Sequence, residues 1–166
     1  MATHVVIGDP HCTPKASNER FLWAGRLAAD VRATHIICMG DFCSMDSLSS
    51  YDKKKKSFEG RRYQKDMQHS HEALSLFNKG LGKHKARKIM LHGNHEDRID
   101  RFVDENPELD GTLKISDLNF KQYGWQEVPY KQNKVLNGVY YAHHFPSGIL
   151  GSAISGENIA RTLLTK

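Results

Sequence analysis

Residues 89–96 read Ile89-Met90-Leu91-His92-Gly93-Asn94-His95-Glu96. A short apolar run meets a glycine, and three side chains with lone pairs or charge follow at once. This is the pattern of a buried strand that stops at a sharp turn and delivers polar groups to one edge of a sheet. The same construction stands twice upstream, where His4-Val5-Val6-Ile7 runs into Gly8-Asp9-Pro10-His11 and Ile36-Ile37-Cys38-Met39 runs into Gly40-Asp41. The segments between them step as helices. Phe21, Ala24, Ala28 and Val31 define one face of a helix over residues 17–32, with Ser17 as its cap. Tyr63, Met67, Leu74, Phe77 and Leu81 do so over residues 61–81. Strands alternating with helices predict parallel βαβ units, whose sites lie outside the carboxyl ends of the strands.

Further along, residues 96–105 predict a helix with Ile99, Phe102 and Val103 on its inner face, ended by Pro107. Residues 111–119 suggest another short helix, and residues 125–130 a strand. Lys134-Val135-Leu136 and Val139-Tyr140-Tyr141 flank Asn137-Gly138, the strongest short-range signal for a tight hairpin. A last helix is expected over residues 155–166, capped by Ser155. The fold class expected is α/β, with two packed mixed β-sheets flanked by helices in a single domain over residues 1–166.

A chain of 166 residues fits one domain. It holds no apolar run of about 18 residues, the length a membrane-spanning helix needs. The start at Met1 reads as a strand rather than a leader, so a cytoplasmic location without a membrane partner is expected. Three cysteines, Cys12, Cys38 and Cys43, are an odd number in no metal-ribbon spacing, which argues against a disulfide framework. The formal charge is +5 with ten histidines left out. That excess suits an anionic partner, nucleic acid among the candidates. Residues 42–60 read as a polar surface loop around Lys53-Lys54-Lys55-Lys56. With Arg61 and Arg62 this run is a candidate guide for a polyanion, although a solvated loop is the plainer reading.

Taken singly, Asp9, His11, Asp41, Asn94 and His95 would pass for surface or capping residues. As an ordered set at three strand ends they point to a dinuclear metal site. Asp9 and Asp41 offer hard charged oxygens, His11 an imidazole nitrogen and Asn94 a neutral amide oxygen. Mixed nitrogen and oxygen donors without thiolate suit Mn²⁺, Fe or Zn²⁺. Two such metals about 4 Å apart share a bridging carboxylate, for which Asp41 is the candidate. His92 reads as a packed histidine, Glu96 and Arg98 as a helix-start charge and a salt-bridge residue, and Cys12 and Cys43 as bystanders.

In order and spacing, Asp9-x-His11, Gly40-Asp41 and Gly93-Asn94-His95-Glu96 resemble the signature of the calcineurin-like metallophosphoesterases. Val139-Tyr140-Tyr141-Ala142-His143 is similar to the later strand of that family, which ends in a histidine ligand. The resemblance runs from Asp9 to His143, and the segment after Asp41 also resembles phage-encoded members, which implies a host cytoplasm. It implies a sandwich of two sheets holding two divalent transition metals, Mn first and Fe or Zn as alternatives. Asp9 and His11 would bind the first metal, Asp41 would bridge, and Asn94 and His143 would bind the second. His95 would be no ligand. As the catalytic group it would face the substrate phosphate beside Asn94 and stabilise or protonate the leaving oxygen, while a hydroxide activated by both metals attacks a phosphate mono- or diester in line. His144 adjoins His143, but strand alternation sends it to the other face. The family's closing Gly-His-x-His is absent after His143. His69-Ser70-His71 sits mid-helix, where residues i and i+2 diverge by about 200°. The expectation is thus a domain lacking its last strands. It is either a working phosphoesterase or a catalytically impaired relative that binds a phosphate-containing or nucleic-acid partner.

Overall fold

The computed structural model describes residues 2–145 and Gly156. The helix expected over residues 155–166 otherwise lies outside the described residues. Strands β1 (His4–Ile7), β2 (His35–Cys38), β3 (Arg87–Leu91) and β4 (Trp125–Val128) form one sheet in the order β1-β2-β3-β4. Every pair in it is parallel. Strands β5 (Lys134–Leu136) and β6 (Val139–Tyr141) pair antiparallel as a separate hairpin. Neither sheet is mixed, which corrects the expectation of mixed sheets: the two kinds of pairing segregate. The strands of βαβ units stay together, and among the described residues the hairpin pairs only with itself.

The strand order explains which face each layer takes. Crossovers between parallel strands are right-handed, so a sheet that grows always in one direction receives its helices on one face. Helices α1 (Glu19–Asp30), α2 (Tyr63–Leu81) and α3 (Asp97–Glu105) follow β1, β2 and β3 in turn. Their residues Phe21, Ala28, Met67, Leu74, Phe77 and Ile99 bury with Ile36, Cys38 and Met90 of the sheet. The alternate strand positions, Ile37, Ile89, Leu91 and Val128, point the other way and bury with Leu136 and Tyr141 of the hairpin. Strand periodicity of two thus sorts neighbouring residues into two cores. The hairpin turn has both Asn137 (φ 51°) and Gly138 (φ 80°) in the left-handed region, as a two-residue hairpin loop requires.

Three details of the sequence reading change. Helix α1 is shorter than expected, and Val31 at its end is exposed together with Trp23 and Leu27. Gly25 takes a place on the inner face, because α1 approaches α2 so closely that a Cβ there would meet the carbonyl oxygen of Phe77. The short helix foreseen over residues 111–119 is a 3₁₀ turn, Ile115–Leu118. The loop over residues 42–60 is only half a surface loop. Phe42, Cys43, Ser44, Met45, Leu48 and Ser49 are buried, with Phe42 packed between Phe21 and Phe120. Lys53 to Lys56 are exposed, and two of them have partners of their own: Lys53 with Glu105 at 3.7 Å and Lys55 with Asp52 at 3.8 Å. Among the described residues no helix is long and apolar enough to cross a membrane.

Candidate metal centre

The sheet register aligns Ile7, Cys38 and Met90 at the carboxyl edge. Each ligand-bearing turn therefore begins at nearly the same level. Two backbone bonds stitch the first turn to the second, from His11 N–H to the Asp41 carbonyl at 3.0 Å and from Cys12 N–H to the Phe42 carbonyl at 2.7 Å. His11 (φ 46°) and Asp41 (φ 48°) are both held in the left-handed region, which non-glycine residues enter at a cost of roughly 1–2 kcal/mol. The rigid surroundings meet that cost. Arg20 of α1 donates to the carbonyls of Pro10 and His11 at 3.0 and 3.1 Å. Glu96 is fully buried and accepts from the backbone N–H groups of Asp41 (3.0 Å), Cys43 (3.1 Å) and Gly93 (2.8 Å). One carboxylate thus ties the turn after β2 to the turn after β3. Burial pushes its pKa up to about 7 against the pull of those amides.

Asp9, His11, Asp41, Asn94, His95 and His143 meet at this rim. Two groups of ligand-type atoms form, each within 4.8 Å: His11 with Asp41 and His95, and Asp9 with Asp41 and His143. Asp41 belongs to both. Its Oδ2 lies 3.9 Å from His11 Nε2 and 3.8 Å from His95 Nε2, while its Oδ1 lies 3.6 Å from His143 Nε2. One carboxylate oxygen faces each group, the arrangement a bridging ligand needs. Asp9 Oδ1 is 3.8 Å from His143 Nδ1, so Asp9 stands closer to the second group than the resemblance implied. Asn94 Oδ1 is 3.1 Å from His143 Nε2. His144 turns its ring to Tyr130 instead.

The hydrogen bonds fix which nitrogens can bind a cation. His143 Nδ1 lies 2.9 Å from the Met39 carbonyl and donates to it, which leaves Nε2, 3.1 Å from Asn94 Oδ1, as the nitrogen open to a proton or a metal ion. The donor set is oxygen and imidazole, and all three cysteines are buried free thiols outside both groups, so the residues fit a borderline or hard divalent metal. His95 is different. The Ser44 carbonyl can only accept and Arg98 can only donate, so Nδ1–H bonds Ser44 at 2.7 Å and Nε2 accepts from Arg98 at 3.0 Å. Its lone pair is already engaged, which distinguishes it from His11 in the same group. Burial lowers its pKa; the Asp41 carboxylate acts against that shift and Arg98 with it.

The glycines are steric requirements here. Gly40 has φ 101°, and a Cβ on it would come within 2.7 Å of His143 Nδ1 and 2.8 Å of Gly93 N. A Cβ on Gly93 would run into the Asp41 carboxylate. His92 is packed, 6 % exposed and 2.9 Å from Glu127. His69 bonds with the Asn18 side chain and His71 with the Asp117 carbonyl, so neither reaches the rim.

The chain was compared with protein-family models and with curated proteins, and neither comparison gave a match.

Sequence reasoning undervalued two residues of this centre. Glu96 reads as a helix-start charge but is the buried tie between loops. Arg98 reads as a salt-bridge residue but caps the imidazole of His95. For Arg98 the spacing held a signal, because residues 95 and 98 lie one helical turn apart and share a face.

Proposed function

We propose that the protein is a metal-dependent phosphoesterase of the metallophosphoesterase sandwich type, hydrolysing a phosphate mono- or diester. The observation that carries this reading is the shared carboxylate of Asp41, whose two oxygens face two separate groups of histidine and acidic side chains. Asp9, Asp41, Asn94 and His143 would hold one ion, and His11 and Asp41 the other. Bound there, two divalent transition metals, Mn first and Fe or Zn as alternatives, supply Lewis acidity and a nucleophile at neutral pH. The ion held by His11 and Asp41 alone would keep open positions, which suits catalysis better than a structural role.

The chain's own residues supply the rest. Asn94 stands at the rim with a neutral amide that can meet a phosphate oxygen. Arg98 presents a guanidinium fixed by His95 and by the Ser44 carbonyl at 2.8 Å, so a cation is oriented before an anion arrives. Neutral as hydrogen-bonded, His95 has no proton on Nε2; it would take one there from solvent, Arg98 keeping its Ser44 bond and meeting the phosphate with its other N–H groups, and pass it to the leaving oxygen.

Two variants test the roles, with bound metal measured by elemental analysis beside Mn²⁺-dependent hydrolysis of phosphate mono- and diesters. His95→Ala should cut turnover by about 10²–10⁴-fold and leave the metal content intact. Asp41→Asn should lose metal and activity together. Reversed outcomes would make His95 the ligand. Metal uptake with no hydrolysis of either ester class would instead favour a phosphate-binding relative without catalysis.

A further inference from the structure

Against the His143 side of the centre lies a cavity of about 370 Å³, lined by Tyr51, Asn94, Arg98, Arg101, Tyr130 and Lys131 with Asp97. Three cationic side chains stand against one carboxylate, and Arg101 already holds that carboxylate at 3.0 Å. Two tyrosines supply flat aromatic faces. Tyr51 is 80 % exposed, so its ring has little packed against it. The Lys131 ammonium lies 5.4 Å from the centre of the Tyr130 ring. The cavity shares Asn94 with the metal centre, and Arg101 donates to the Asn94 carbonyl at 3.0 Å, so its wall and the ligand turn are one piece.

A second hollow, of about 120 Å³, sets Lys15, Arg61, Arg62 and Lys65 beside Asp46, Glu59 and Asp66, with Thr13 in its wall. Thr13 is two residues beyond His11. The Arg61 side chain is 9 % exposed and already paired, with Asp52 at 2.7 Å and the Asp46 carbonyl at 3.1 Å, and Lys15 lies 4.0 Å from Asp46. One hollow therefore adjoins the His143 group through Asn94, and the other follows the His11 turn. The first is aromatic and cationic; in the second, acids offset the bases.

We infer that the substrate is a single strand of nucleic acid, with a base stacked on Tyr51 in the Asn94 cavity and a neighbouring phosphate met by Lys131. The inference rests on the phosphoesterase reading for the cleaved bond, but not for the binding. Aromatic faces beside a basic groove are the means by which proteins hold single strands without reading their sequence. A lone phosphate or a phosphorylated side chain would use the cations and leave the tyrosines idle.

The test uses the full chain and fluorescently labelled single-stranded oligodeoxynucleotides, one carrying bases and one of equal length that is abasic. Affinity is measured by anisotropy in EDTA and again with Mn²⁺, and hydrolysis with Mn²⁺. A 4-nitrophenyl phosphate ester serves as the generic substrate. The strand with bases should bind more tightly than the abasic strand, and Tyr51→Ala should remove about tenfold of its affinity while leaving the abasic strand unchanged. Lys131→Gln should weaken both strands alike and flatten the salt dependence by roughly one contact. Equal affinity for the two strands, or no effect of Tyr51→Ala, overturns the inference even if the generic ester is hydrolysed. Failure to hydrolyse any ester overturns the phosphoesterase reading instead, and the affinities in EDTA still decide the role of the cavity.

Discussion

The Glu96 carboxylate accepts from three backbone amides on two different turns, and its replacement measures how far the centre depends on that tie. Glu96→Ala would leave buried N–H groups without partners, at about 1–3 kcal/mol each, less whatever water recovers. A loss of about 3 kcal/mol or more is expected in urea denaturation, with Glu96→Gln milder because one acceptor oxygen remains. A loss below about 1 kcal/mol would mean that the turns hold themselves. Asp66 on α2 gives the pH counterpart. It is buried, accepts from Ser47 N–H at 3.0 Å, and burial raises its pKa above 3.8. The folded state therefore holds the Asp66 proton more tightly than the unfolded state. Its contribution to stability falls as pH rises from about 3.8 through the raised value, and is constant above that. Asp66→Asn carries no charge and keeps an acceptor, so in paired urea titrations it should gain on the parent protein as pH rises from about 3.8 through the raised value. A constant difference would place Asp66 in water-like surroundings. Residue types at the rim were legible because lone-pair donors after glycine-ended strands stand out. Glu96 was not legible, since nothing in a sequence tells a buried carboxylate from an exposed one.

Among the elements, the strands were the most legible and the loops the least. The apolar runs at His4–Ile7 and Val139–Tyr141 keep the bounds expected of them, because alternation and the Asn137-Gly138 turn both fix the register. The segment after Asp41 misled, because its polar composition hid Phe42, Met45 and Leu48, which bury against residues distant in sequence. The inner face of α1 also misled, through its glycine. A Cβ on Gly25 would meet the Phe77 carbonyl, and one on Gly80 the Leu22 carbonyl, so the two helices touch backbone to backbone. Alanine normally favours a helix by about 1 kcal/mol over glycine. Here Gly25→Ala or Gly80→Ala should instead destabilise by roughly 1–3 kcal/mol, since the helices must move apart. Thermal melts of the two variants decide this, and a raised melting temperature in either would refute the close approach.

For the molecule as a whole, metal binding and folding should be linked. The two ligand groups draw on the turns after β1, β2 and β3 and on the segment following β6, and no unfolded chain presents them together. Mn²⁺ at about 100 times its dissociation constant should add roughly 2.7 kcal/mol, or about 5–10 °C in melting temperature for a chain of this size. Asp41→Asn should reduce the increase. An equal increase in both proteins would place the ion elsewhere.

The strand order also has a consequence in time. Each parallel strand joins the edge left by the one before it, so the sheet can be laid down in the order in which a ribosome delivers it. His143 is the exception, because it arrives last and closes the ligand group begun by Asp9 at the other end of the chain. A nascent chain arrested before β6 has emerged should therefore protect β2 and β3 from hydrogen exchange but bind Mn²⁺ only weakly. The ion would act as an inspector of finished chains, and strong uptake by the arrested form would show that it is present from an earlier stage.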